Sequence, residues 1–319
     1  MLRTINFMGV RNVAFGVTVL LTVLALFSWF HKGLNYGLDF TGGTLIELTY
    51  EKPADVTLVR NELVKAGYHE AIVQSFGATT DLLVRMPGED PQLGHQVAEA
   101  LQKVGGDNPA AVKRVEFVGP QVGEELRDQG GLGMLMALVG IMIYLAFRFQ
   151  WKFGVGAIVS LIHDVIVTVG ILAYFQITFD LTVLAAVLAI IGYSLNDTIV
   201  VFDRVRENFR VLRKATLIEN INISTTQTLL RTMATSISTL LAIAALMIFG
   251  GDNLWGFSLA LFIGVLAGTY SSIYIANVVL IWMNLNSEVL IPPAATGKEV
   301  DDRPCWVFVD TLLQRRHEY

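Results

Sequence analysis

Long apolar runs recur along this chain, at 13–30, 131–149, 153–175, 181–203, 232–250 and 254–282. Each is long enough to cross about 30 Å of hydrocarbon as a helix. Lipid-exposed backbone must satisfy its own polar groups, and an unbroken run of this length does so only when helical. The pattern predicts a polytopic α-helical membrane protein with six transmembrane helices. The last run exceeds the thickness of a bilayer and must tilt or project from it. Composition agrees: 53% of residues are hydrophobic and 16% charged, against about 25% charged in a soluble domain.

The first run follows Arg3 and Arg11, as a cleaved leader would. It is longer than the apolar core of about 7–15 residues that leaders carry, and no small-x-small site closes it. It reads as a retained span. Lys and Arg then set the orientation. Arg3 and Arg11 precede span one, and Arg148 and Lys152 separate spans two and three. Arg204, Arg206, Arg210, Arg213, Lys214 and Arg231 fall between spans four and five, and Arg303, Arg315 and Arg316 lie in the tail. The opposite loops, QITFD and GGDNLWG, hold no Lys or Arg. Residues 1–12 and the tail 283–319 are therefore expected in the cytoplasm, and residues 31–130 on the outer side of the membrane. The segment near 207–230 mixes apolar and basic residues and reads as a cytoplasmic amphipathic element at the interface. Its Asn222-Ile223-Ser224 matches a glycosylation pattern by chance on that side.

A net charge of −5 argues against nucleic acid as a partner and leaves lipid as the surrounding phase. The single cysteine, Cys305, excludes an intramolecular disulfide and a CxxC metal or redox site.

Residues between spans one and two are numerous enough for a domain of their own. TLIELTY (44–50) alternates like a strand, and 54–67 has helical apolar spacing. EAIVQSF (70–76) and DLLVRM (81–86) read as strands joined by a GATT turn. A second helix is predicted over 91–106 and a last strand over 111–120. The order β-α-β-β-α-β is that of an α+β ferredoxin-like unit. Such a fold assigns no activity. No GxSxG elbow is present, and His31, His69 and His95 are scattered, so no enzyme is expected and no metal site. GLDFTGGT (37–44), with Gly37, Asp39, Gly42 and Gly43, reads as a constrained junction between span one and the domain. Its glycine spacing is wrong for a phosphate loop, and Asp39 is most simply a cap or turn residue.

Ionisable groups inside spans are costly and point to function. Asp197, in GYSLNDTIVVFDR, lies about 10 Å inside the end of span four marked by Arg204. A carboxyl group in such surroundings can bind and release a proton as they wet and dry. Tyr193, Ser194 and Asn196 stand close enough in sequence to supply hydrogen bonds. The alternative is a structural Asp that pins two helices. His163 and Asp164 lie about 16 Å deep in span three, either as part of a proton relay or as a polar staple. They point in different directions on a helix and need not pair, and either can meet span four. Arg231 opens span five, followed by Thr232, Thr235, Ser236, Ser238 and Thr239. It either snorkels to the interface or biases the charge of Asp197. Asp203 reads as interfacial. Gly264 and Gly268 form a GxxxG suited to close helix packing.

Three motifs, GLDFTGGT, VKRVEFVGPQVGEEL and GYSLNDTIVVFDRVRENFR, closely resemble the SecF branch of the SecD/SecF protein-export family, within the resistance-nodulation-division superfamily. The resemblance covers nearly the whole chain except the end of the tail. It implies a six-helix half that pairs with a SecD half in the bacterial cytoplasmic membrane. It further implies association with the SecYEG channel and YajC, an unfolded preprotein as substrate, and protons as the coupling ion with no other cofactor. Asp197 matches the family's intramembrane Asp, and Arg231 its Arg at the start of span five. Movement would pass through the 37–44 junction and the 118–130 connector to the outer domain. Two other readings are a half-transporter for a small solute or lipid, and a passive translocon scaffold.

Overall fold

The computed structural model describes residues 4–285, apart from 70, 77, 88–91, 103–107, 213 and 214. The expectations for Arg3, Arg213, Lys214, Cys305 and the tail beyond residue 285 fall outside the described residues.

A short 3-10 turn, Phe7–Val10, leads into α1, Arg11–Lys32. Then follow β1 (Asn35–Tyr36), α2 (Leu38–Thr41), β2 (Gly43–Tyr50), α3 (Val56–Lys65), β3 (Ile72–Phe76), β4 (Ala78–Met86), α4 (Leu93–Gln102) and β5 (Ala110–Val118). The remaining described elements are helices but for one short strand: α5 (Pro120–Arg148), α6 (Trp151–Phe175), β6 (Thr178–Phe179), α7 (Leu181–Val211), α8 (Leu217–Phe249), α9 (Asp252–Ile273) and α10 (Ile275–Trp282). Among the described residues, six helical segments are long and apolar enough to cross a membrane, with α9 and α10 together making the last.

Between the first and second spans lies the α+β domain. Its four strands run in the order β3-β4-β2-β5 with every neighbour antiparallel. Two helices connected in this split pattern make it ferredoxin-like. Along β2, Thr44, Ile46, Leu48 and Tyr50 are buried while the residues between them are less so. The buried set meets Leu82, Val84 and Met86 of β4, Val59 and Leu63 of α3, and Val97 and Leu101 of α4. Strand β4 begins at Ala78, so Thr79 and Thr80 extend the sheet where a turn was expected. Their β-branched side chains suit a strand, and the Thr79 carbonyl accepts from Ala54 N at 3.0 Å. Leu82 has no exposed surface. Leu82→Ala is expected to destabilise the outer domain by about 2–5 kcal/mol, read as a lowered thermal midpoint.

The opposite sheet face carries a polar cluster. Asp81 is buried and accepts from Thr49 Oγ1 at 2.7 Å and Lys113 Nζ at 2.8 Å. Burial works to raise its carboxyl, but the hydrogen bonds from Lys113 and Thr49 and the Lys113 charge outweigh it and hold the group below its ordinary value. A folded-state value below the unfolded one gives stability that is full above about pH 3.9 and is lost as pH falls through the folded value. Acid unfolding of the outer domain should therefore steepen below pH 4, and Asp81→Asn should flatten that limb in a pH series of thermal unfolding.

The membrane part differs from the sequence reading in three places. The 118–130 connector is not a connector: α5 runs unbroken from Pro120, with the proline in the first turn, where its missing N–H costs nothing. At Gly130 the helix approaches α7 closely, since a Cβ there would stand 2.8 Å from Leu184 Cδ2. The segment near 207–230 is not a separate interfacial element. It is divided between the end of α7 and the first turns of α8, whose Asn220, Ile221 and Ser224 are buried. A capping box starts α8: Glu219 N donates to Thr216 Oγ1, and Thr216 N donates back to Glu219 Oε2. The sixth span breaks at Tyr274, where the Asn277 side-chain amide donates to the carbonyls of Ser272 and Ile273.

Two apolar clusters fill the bundle. One joins Leu145, Phe149, Phe153, Phe202, Phe209 and Leu280 at the end where α5 meets α6. The other joins Phe40, Leu172, Phe179, Val183 and Val187 toward the α+β domain. Between them, in sequence and in space, lies a layer of polar side chains.

Candidate functional site

That polar layer is built from α6, α7, α8 and α9. Asp164 of α6 is wholly buried. Its Oδ2 accepts from Ser194 Oγ of α7 at 2.5 Å and from Ser271 Oγ of α9 at 2.7 Å. Its Oδ1 lies 3.1 Å from His163 Nδ1. The adjacent pair thus does meet, although successive helical side chains diverge. The other His163 nitrogen, Nε2, is buried without a partner.

Asp197 lies one helical turn beyond Ser194 on the same side of α7, within the spacing that makes helical neighbours. It is 3% exposed, and its Oδ2 has no hydrogen-bond partner. The expected donors do not serve it. Ser194 is committed to Asp164, Tyr193 donates to Ser236 Oγ at 3.4 Å, and Asn196 is exposed. Asn196 fails for a geometric reason: the residue next to a buried helical position points about 100° away from it. Arg231 of α8 is exposed, yet near enough to Asp197 for its charge to act there.

Sequence reasoning named Thr232 and Ser236 but missed Ser271 and Thr269. Ser236 and Thr269 hydroxyls lie 2.7 Å apart and bridge α8 to α9, and Thr232 Oγ1 is buried without a partner. Hydroxyls in an apolar run were a signal, but a run of sequence does not tell which neighbour a hydroxyl faces. Gly264 and Gly268 do serve close packing. A Cβ on Gly264 would fall 2.3 Å from Ile190 Cδ1, and one on Gly268 3.0 Å from Ser194 Cβ. Asp203, at the far end of α7, pairs with Arg148 of α5 at 2.7 Å. Asn222 is buried and hydrogen-bonded to Asn6 and Met8, so its sequon is occupied by structure.

The 37–44 junction reaches α7 directly. Gly37 N donates to the Phe179 carbonyl at 2.8 Å, and β1 pairs in parallel with β6. Asp39 is a cap, but of a distant helix: its Oδ2 accepts from Leu181 N, the first residue of α7, at 3.0 Å. Gly42 has φ +67, and a Cβ there would meet Pro120 Cα at 2.8 Å. Gly43 has φ +111, and its Cβ would fall 2.5 Å from the Met86 carbonyl oxygen. Four parts of the chain therefore converge: the end of span one, the edge of the sheet, the start of α5 and the start of α7.

Residues 96–286 match the family described as protein export membrane protein SecD/SecF, C-terminal, and residues 27–54 match the SecD/SecF GG motif. This chain belongs to the SecD/SecF family. Within that family it is 74% identical to the protein translocase subunit SecF of Pseudomonas aeruginosa, covering 94% of this chain and 98% of that relative. It is 45% identical to the protein translocase subunit SecF of Escherichia coli O157:H7, covering 95% of this chain and 94% of that one. A crystal structure of SecDF, a translocon-associated membrane protein from Thermus thermophilus, matches with a TM-score of 0.82 at 39% identity. The match covers 88% of this chain and 39% of the solved one, so this chain spans well under half of that longer protein. A SecDF structure in a super-membrane-facing form matches with a TM-score of 0.66. As a SecD/SecF member of the SecF branch, the chain is a multi-pass inner-membrane protein of the Sec export system. The GG motif of the family covers Gly42 and Gly43, the two glycines at the convergence point.

Proposed function

We propose that this chain is one six-helix half of a proton-driven motor that assists preprotein export, with SecD as the other half. The observation that carries the reading is Asp197: a carboxyl group inside a span, nearly without exposure, with one oxygen unpartnered. A charged form there is expensive and a neutral form is cheap, so the bundle has two states that differ by one proton. One unit charge moved through 100 mV is worth about 2.3 kcal/mol, enough to bias a change of helix packing. Ser194, one helical turn from Asp197, donates to Asp164, which with His163 extends the relay.

Pairing with SecD is supported by Arg231 and Asn196. Both are exposed on this half, near the depth of Asp197, where lipid would be a poor solvent for them. A second six-helix half would cover them. The SecDF structures point the same way, since the matching region there is part of a longer chain. Further partners in this reading are SecYEG, YajC and the emerging unfolded preprotein. Both termini face the cytoplasm and the α+β domain the periplasm, as the Lys and Arg of the short loops require. Protons are the only coupling agent, and no bond of the substrate is broken.

The test is proton flux through vesicles holding the intact assembly, with the natural chain and with Asp197→Asn. Flux that is lost in the variant supports the reading, and equal flux in both removes Asp197 from it. Flux absent even from the natural assembly leaves a passive scaffold as the better account.

A further inference from the structure

The outer domain grips the membrane part at Thr178, away from its covalent ends, as well as at the Asn35–Tyr36 strand that follows span one. Arg85 lies near the end of β4, opposite Leu45, on the sheet face away from α3 and α4. Its Nη1 donates to Asn35 Oδ1 at 3.3 Å and to the Tyr36 carbonyl at 3.1 Å. Its Nη2 donates to Thr178 Oγ1 at 2.9 Å. Asn35 and Thr178 face each other in the β1–β6 pair, so one guanidinium fork holds both strands. Asn35 in turn donates to the Gln176 carbonyl at 2.9 Å, which fixes the loop between α6 and β6.

That loop leads straight into α7. Asp180 caps the helix by accepting from Val183 N at 2.8 Å, and Asp39 accepts from Leu181 N. Arg85 also lies within the field of the Asp180 carboxylate. Two carboxylates at a helix N-terminus are favourable, and a cation beside them ties the domain to the cap. From Leu181 to Asp197 the helix is unbroken over about 24 Å. A continuous hydrogen-bonded helix transmits an axial shift or roll to its end with little loss.

We infer that Arg85 is the positioning residue that makes the outer domain follow the outer end of α7, so that a change at Asp197 moves the domain. This rests on the proton-coupled reading above and adds to it a place and a direction of transmission. The route runs from Asp197 along its own helix to Thr178 and Asp180, across the Arg85 fork, and into the central strand pair of the sheet. It bypasses span one and α5. Arginine suits the role because its planar fork reaches three acceptors at once, whereas a lysine ammonium on a flexible stem holds no fixed orientation.

The experiment places Arg85→Ala, Arg85→Lys and Thr178→Val in the intact assembly in vesicles. It measures proton flux, gradient-stimulated export and protease resistance of the outer domain. Expected for Arg85→Ala is proton flux within about twofold of the natural chain and gradient-stimulated export reduced about tenfold, the loss of a charge-assisted fork. Arg85→Lys should resemble Arg85→Ala, because charge alone does not restore three oriented bonds. Thr178→Val, which removes one acceptor, should reduce export about threefold with flux intact. Undiminished export in Arg85→Ala overturns the inference, and so does full rescue by Arg85→Lys. Equal loss of flux and export with a protease-resistant domain overturns it too. If Arg85→Ala leaves the domain protease-sensitive, Thr178→Val decides, and full export there counts against the inference. Failure of the underlying reading looks different: the natural assembly itself then shows no proton flux.

Discussion

Asp197→Asn is expected to leave the chain inserted and assembled while gradient-driven export falls about fiftyfold, the equivalent of the 2.3 kcal/mol that one charge draws from 100 mV. The substitution keeps the size and shape of the side chain. Nothing donates to Asp197 Oδ2, so the amide takes the place without breaking a hydrogen bond at that oxygen. Removing a buried ionisable group also removes its desolvation cost, so the variant should be at least as stable as the natural chain. That combination separates the proposed role from a structural one, because a pin between helices would show itself as lost stability. The measurement is the rate of preprotein completion in inverted membrane vesicles, with and without an imposed proton gradient. A rate within about twofold of the natural chain under the gradient would contradict a fiftyfold loss.

Gly43→Val has the second large effect, for steric reasons. The backbone at Gly43 has φ +111, a region that side chains rarely adopt, and the new Cβ would stand 2.5 Å from the Met86 carbonyl oxygen. Holding a β-branched residue there costs about 1–3 kcal/mol in backbone strain alone. Relief requires the Thr44–Met86 end of the β2–β4 ladder to open, which also loosens the strand bearing Arg85. The outer domain should become protease-sensitive at its membrane edge and export should fail, although the six spans still insert. Gly43→Ala should be milder and in the same direction. An outer domain as protease-resistant in Gly43→Val as in the natural chain would show that the junction yields at no cost.

Much of the architecture was legible because it is written in local patterns. Hydropathy over a window identifies spans whatever they pack against, and alternation along 44–50 identifies a strand whichever way the sheet is ordered. The 118–130 stretch was read as a connector, and its place in the helix of span two is not written in local apolar spacing: Gly123 fits against Gly42 and Gly130 against Leu184, contacts with segments distant in the chain. The start of α8 was readable in the T-x-x-E spacing of Thr216 and Glu219, but the apolar and basic mixture around it drew the eye to the interface. Within the site, Asp164 and Asp197 stand out as charges in hydrocarbon, whereas Ser271 and Thr269 become informative only once α9 is seen beside α6 and α8. Arg85 carried no signal at all. It sits in an ordinary alternating strand, and its role depends on the pairing of residues 35–36 with 178–179, a contact between segments far apart in the chain.

The contacts of Gly264 with Ile190 and of Gly268 with Ser194 leave no room for even a methyl group between α9 and α7. Helices fitted this closely resist rolling against each other and move most easily as one body. Ser194 and Ser271 hold the same oxygen of Asp164 from opposite sides of that body. In the proton-driven reading proposed above, their two bonds would form or break together, so that a proton would switch the bundle between discrete arrangements and not shift it by graded drift.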